Sequence, residues 1–131
     1  MENFSKRYAE VQLLLLDLKK ATVSYEDNSE QTQADSQALI SIFSKAFYSF
    51  CELIAEYLKI HHKNFASSKS PREVIENAHR VGFLAEHDTH ILLQIHKDRA
   101  KPLLGNEESA LIHKLETYIE TMQTIVNEIK P

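Results

Sequence analysis

The chain has 131 residues and a formal net charge of −4, with 15 Lys and Arg against 19 Asp and Glu, two glycines, three prolines and no tryptophan. That length suffices for a single domain, residues 1–131, with a real core, and so little Gly and Pro excludes a sheet-rich chain that turns about every ten residues. The acidic balance removes the electrostatic footprint of a general nucleic-acid binder, while leaving room for a local basic patch.

Phe4, Tyr8, Val11, Leu15 and Leu18 step by alternating four and three residues and so share one helical face, which Leu14 widens. The apolar run Leu13 to Leu16 is ended by Asp17, Lys19 and Lys20, far short of a membrane-spanning or signal segment, so a soluble cytoplasmic protein is expected. Ser24 to Gln37 is polar, carries Glu26, Asp27, Glu30 and Asp35 without a basic residue, and reads as a solvated, poorly ordered connector with frayed helix ends. Ile40, Phe43, Phe47, Phe50, Ile54 and Tyr57 then define a long aromatic helix ending near His61 and His62, the spine of the core. Cys51 has no partner for an internal disulfide and lies in an apolar stretch, which makes it a small core side chain rather than a catalytic thiol.

Ser70-Pro71-Arg72-Glu73 starts a third helix: Ser70 accepts from first-turn amides, Pro71 needs no amide hydrogen at the first helical position, and Glu73 can return to the cap's own amide. This helix carries Val74, Ile75 and Ala78 and stops at Gly82, with Phe83 and Leu84 folding back as apolar anchors. A fourth runs from about Asp88 through Ile91, Leu92 and Ile95 to Arg99, before Pro102 and Gly105. The last begins at Asn106, Glu107 and Glu108, acidic side chains that suit exposed amides. Its stripe is Leu111, Leu115, Tyr118, Met122, Ile125 and Ile129, broadened by Ala110, Ile119 and Val126. The expected fold is an all-α bundle of about five helices, three long and two short.

Seven histidines invite a metal reading. His87 and His90 share a helix face near Glu86, but there is neither an HExxH arrangement nor a cysteine partner, and a zinc site needs three or four ligands. No nucleophile elbow or phosphate-cradling glycine loop is present, and nothing points to a cofactor. The notable cluster is Lys97-Asp98-Arg99-Ala100-Lys101, beside the break at Pro102. Lys97, Arg99 and Lys101 form a candidate basic rim for a phosphate, supported by Asp98, His96 and Asn106. An arginine stays protonated near neutral pH and cannot shuttle protons, so such a site is built for binding. The bland alternative is an ion pair of Arg99 with Asp98, Glu107 or Glu108.

Phe43-Ser44-Lys45-Ala46-Phe47 with Glu52 and Leu53, then Ser70-Pro71-Arg72-Glu73-Val74-Ile75, Gly82-Phe83-Leu84 and Lys97-Asp98-Arg99, together resemble the nucleotidyltransferase substrate-binding protein family of the HEPN superfamily. The resemblance covers most of the chain, and the Ser-Pro-Arg-Glu-Val-Ile piece is its more specific part. It implies an up-and-down helical bundle that forms a homodimer and is encoded with a small nucleotidyltransferase, the two often regarded as a toxin–antitoxin pair. Many relatives carry an arginine, usually followed by a polar residue, with a histidine four to six residues on, a pair associated with metal-independent RNA cleavage. Here Arg99 matches the arginine, but Ala100 replaces the polar residue and Leu104 or Gly105 stands where the histidine belongs. The family's following tyrosine is missing too. Arg72 with His79, and Arg80 with His87, satisfy the spacing only away from the family's position.

The leading expectation is a non-catalytic partner subunit that binds a small nucleotidyltransferase and presents or regulates its substrate, a nucleotide or RNA. The alternative is a divergent ribonuclease toxin using another histidine, such as His96, one turn before Arg99; a third option is a helical dimer with an unrelated binding role. The aromatic second helix and the heptad-patterned last helix offer the apolar surface for a dimer.

Overall fold

The computed structural model describes residues 2–62, 70–100 and 105–131. Among them the chain is helical throughout, without a strand: α1 (Glu2–Asp27), α2 (Gln33–His61), α3 (Pro71–Arg80), α4 (Glu86–Ala100) and α5 (Gly105–Glu128). α2 is the central element, packed on α1, α3 and α5, while α4 bridges α3 and α5. α1 and α2 form an antiparallel pair, as the Phe4–Tyr57 ring contact and the 2.8 Å Arg7–Glu52 ion pair fix.

The stripes read from the sequence are the core. Phe4, Tyr8, Val11, Leu15 and Leu18 of α1 are buried, as are Phe43, Phe47, Phe50 and Ile54 of α2 and Leu92 and Ile95 of α4. Leu14, Ile40, Tyr57 and Ile91 are half-buried at its edges. Leu111, Leu115, Tyr118, Met122 and Ile125 of α5 are buried, as is Ile129 just past its end, but Ala110 is exposed and Ile112 takes the flanking place. α2 is also long and apolar enough to cross a bilayer, yet nine of its residues are buried in this core.

The connector between α1 and α2 is much shorter than the polar stretch 24–37 suggests, occupying only residues 28–32. Both helix ends are held. Thr32 accepts from the Asp35 amide at 3.1 Å while the Asp35 carboxylate accepts from the Thr32 amide at 3.0 Å, a reciprocal capping box. Across the turn the Tyr25 hydroxyl meets Ser36 Oγ at 2.7 Å, and Gln31 Nε2 donates to the Tyr25 carbonyl.

α3 begins as expected, with Ser70 Oγ accepting from the Glu73 amide at 3.2 Å and Pro71 at the first helical position. It ends in a Schellman turn: the Gly82 amide donates to the His79 carbonyl and the Phe83 amide to the Ala78 carbonyl, each at 3.0 Å. Gly82 has φ +84°, and a Cβ there would meet nothing within 4 Å. A Gly82→Ala variant therefore suffers only the left-handed backbone penalty, and its unfolding free energy in urea is expected to fall by about 1–2 kcal/mol.

Candidate functional site

The C-terminal half of α4 sends successive side chains in three directions, because neighbours on a helix are about 100° apart. Asp98 turns toward α5 and is buried at 8 % exposure. Its Oδ2 accepts from the Tyr118 hydroxyl at 2.7 Å and lies 3.6 Å from Lys114 Nζ, while its Oδ1 accepts from Gln94 Nε2 at 2.8 Å. Tyr118 stacks on Phe43 behind it, and burial together with the hydrogen bond to Asp98 pushes its phenol well above the ordinary value. Asp98 thus ties α4 to α5.

Arg99 turns the other way, toward α2. Its guanidinium carbon sits 5.6 Å above the centre of the fully buried Phe47 ring, a cation–π arrangement, and its charge reaches Cys51 one turn further along α2. Arg99 Nε is buried with no hydrogen-bond partner. One turn earlier, His96 Nδ1 is also buried and unpartnered. Burial depresses the His96 pKa first, and the charges of Arg99 and Arg72 depress it further. Arg72 stands on the first turn of α3, largely exposed, with its Nε 3.5 Å from Glu76.

This geometry changes the expected site. Asp98 is engaged by Tyr118, Gln94 and Lys114, and adjacent helical positions cannot face each other, so the expected Asp98–Arg99 ion pair gives way to an α4–α5 tie. Lys97 is exposed and diverges from the inward Arg99, so these two do not make a rim. Lys101 lies outside the described residues, as do the side chains of Asn106 and Glu107, while Glu108 is buried. His96 does stand beside Arg99. Arg72, set aside as half of a spacing match with His79, stands on α3, which packs against α4, and its charge reaches His96, whereas His79 and His87 are exposed and Arg80 donates to Asn77 Oδ1 at 2.8 Å. Lys114 went unnoticed as well; its place four residues before Tyr118 is the signal that puts both on one face of α5.

A second feature is a groove of about 1050 Å³ between α1 and α5, lined by Leu13, Leu16, Lys19, Val23, Glu116 and Glu120 among others. Its α1 edge is apolar and exposed: Leu13 at 59 %, Leu16 at 49 % and Val23 at 51 %. The expected surplus of apolar surface on the second and last helices is thus displaced. The α5 stripe is consumed by the core, α2 leaves Ile42, Tyr48 and Ile60 scattered, and α1 carries Leu13 and Leu16 one turn apart, with Val23 two turns further along the same groove beyond Lys19. Cys51 is buried, as expected of a core side chain.

No family model matches the sequence, and no curated protein matches it. Among solved structures the chain is similar to the crystal structure of ttk003001694 from Thermus thermophilus, with a TM-score of 0.76 and 21 % identity over 92 % of this chain and 99 % of that one. At that identity the likeness speaks to the fold, an all-α bundle of the same arrangement.

Proposed function

We propose that this protein is a non-catalytic binding subunit, a homodimeric HEPN-like bundle of the cytoplasm that engages a small nucleotidyltransferase and holds its nucleotide or RNA substrate, within a toxin–antitoxin pair. The observation that carries this reading is the apolar edge of α1 beside the α1–α5 groove, where Leu13, Leu16 and Val23 are half exposed or more. Large exposed apolar side chains along one groove of a small helical bundle are what a protein partner covers. The resemblance over α2, α3 and α4 supplies the kind of partner, and Arg99 supplies a fixed positive charge for a phosphate. Co-expression with a nucleotidyltransferase encoded beside this chain should yield a co-purifying complex. Leu16→Glu, which adds charge at an exposed position, should break that complex while leaving the thermal midpoint of the bundle within about 2–3 °C of wild type. Full recovery of the complex with the variant would remove the groove from the reading, and no complex with the unaltered chain would remove the partner.

One observation favours the ribonuclease alternative, namely that His96, held toward its neutral form by burial and two arginines, adjoins Arg99. RNA cleavage by the purified chain, abolished in His96→Ala, would establish that reading instead.

A further inference from the structure

The two edges of the α1–α5 groove carry charge of opposite sign. Lys19 stands exposed on α1, with Lys20 beside it, while Glu116 and Glu120 stand exposed on α5. Helix register sets these groups level with one another. The Phe4–Tyr57 contact aligns α1 with α2, so Phe43, about four turns before Tyr57, comes level with about Leu18 of α1. Tyr118 stacks on Phe43, and Gln123 Nε2, little more than a turn further along α5, donates to Gln12 Oε1 at 3.2 Å. α5 therefore runs antiparallel to α1. Lys19 lies about two turns after Gln12 and Glu116 about two turns before Gln123, so they face each other from opposite edges. Among the described residues no ion pair joins Lys19 to Glu116 or Glu120. Leu16, exposed one turn before Lys19, is level with Ile119, which with Leu15 forms the buried floor of the groove. Glu26, the remaining charge of the lining, lies about two turns beyond Lys19 and away from both α5 glutamates.

We propose that this groove is the face on which two copies of the chain pair, about a two-fold axis running along the groove, with Lys19 of each copy against Glu116 and Glu120 of the other. A two-fold interface uses one patch twice, so the patch must complement itself. This one does. Rotation about an axis along the groove lays α1 of one copy over α5 of the other without changing its level, which brings the basic edge onto the acidic edge at both ends of the pairing. The same rotation brings Leu16 of each copy level with Ile119 of the other, so an exposed leucine gains the groove floor as its cover. A two-fold axis across the groove stacks α5 on α5 and sets Glu116 and Glu120 against their own kind, so the charges select the first arrangement. The pairing gives the homodimer of the proposed function its face. Resting on that reading, it also makes the second copy the occupant that a nucleotidyltransferase displaces from the groove.

The test is charge reversal followed by mixing, read by sedimentation equilibrium of the full chain. The unaltered chain should sediment with the mass of two chains. Lys19→Glu alone, and Glu116→Lys with Glu120→Lys in one chain, each set like charges together at both ends of the pairing and should each weaken it about tenfold or more. All three positions are exposed, so circular dichroism should show the helical content unchanged. An equimolar mixture of the two variants restores opposite charges at both ends, and it should recover the two-chain mass that neither variant reaches alone. Lys130→Glu, a reversal outside the groove, should leave the pairing as it is. A chain that stays monomeric up to about 100 µM, a dimer that neither reversal weakens, or a mixture no tighter than its components would overturn the proposal. Co-expression with the nucleotidyltransferase keeps the two readings apart. A complex recovered from a chain that is monomeric by itself removes the self-pairing alone, whereas a dimer that responds to the reversals while no complex is recovered removes the partner reading alone.

Discussion

Replacing Phe47 with alanine is expected to lower the unfolding free energy by about 3–5 kcal/mol, the cost of losing a fully buried aromatic side chain and leaving part of its volume empty. Phe47 is fully buried, its ring stacks 6.5 Å from that of Phe50, and the Arg99 guanidinium carbon lies 5.6 Å from its centre. Against a typical total of about 5–15 kcal/mol, this is a large fraction, and the thermal midpoint should fall by on the order of 10–20 °C. Phe47→Leu separates packing from the contact with Arg99. It keeps most of the apolar volume but removes the π face, so its cost should be about 1–2 kcal/mol, of which roughly 0.5–1 belongs to the cation–π contact. A double-mutant cycle with Arg99→Met reads that share directly as a coupling energy. If the two changes are additive, Arg99 is not seated on the ring, and the inward-facing geometry of the α4 cluster fails with it.

The helices were legible because each apolar stripe runs unbroken and repeats at three and four. The ends of α3 were legible too, since Ser70, Pro71 and Gly82 each have one local conformational use. The hairpin at 28–32 was not, because Asp35 completes the capping box of Thr32 where glutamate or glutamine is the usual signal, and the acidic composition around it looks the same as that of an unfolded connector. The site was half legible. Position 99 at the end of α4 is an arginine three residues before Pro102, but its direction depends on which helix lies opposite, and only tertiary packing brings Phe47 and Cys51 there. The same holds for Arg72, 24 positions before His96, whose place depends on α3 folding back along α4 through the Gly82 turn. Leu13 and Leu16 hid in a run of four leucines. Periodicity assigns one stripe of α1 to the core, yet four consecutive apolar residues must occupy every side of a helix, so two of them were bound to face outward.

The second large effect is at high pH. Burial pushes the Cys51 thiol from its ordinary 9.0 up to about 12, an increase that the nearby charge of Arg99 only partly offsets. The sign follows from which state holds the proton more tightly. In the unfolded chain the thiol ionises first, so a rise in pH favours unfolding. The contribution of Cys51 is fully present below pH 9 and is lost progressively as pH approaches 12, amounting to about 4 kcal/mol across that window. Tyr118 acts in the same direction: its phenol is raised by burial and by the Asp98 carboxylate, so its contribution is intact below pH about 10 and declines above it. Urea midpoints measured at intervals from pH 8 to 11 should therefore be flat at first and then fall, at up to about 1.4 kcal/mol per pH unit for each group titrating. Cys51→Ala should lower stability modestly at pH 8 yet delay the fall until Tyr118 begins to ionise; adding Tyr118→Phe should remove most of what remains. An onset that stays near pH 9 in Cys51→Ala would assign the alkaline loss to other groups and place the thiol in contact with water, which would also open the α2–α4 contact where Arg99 is seated.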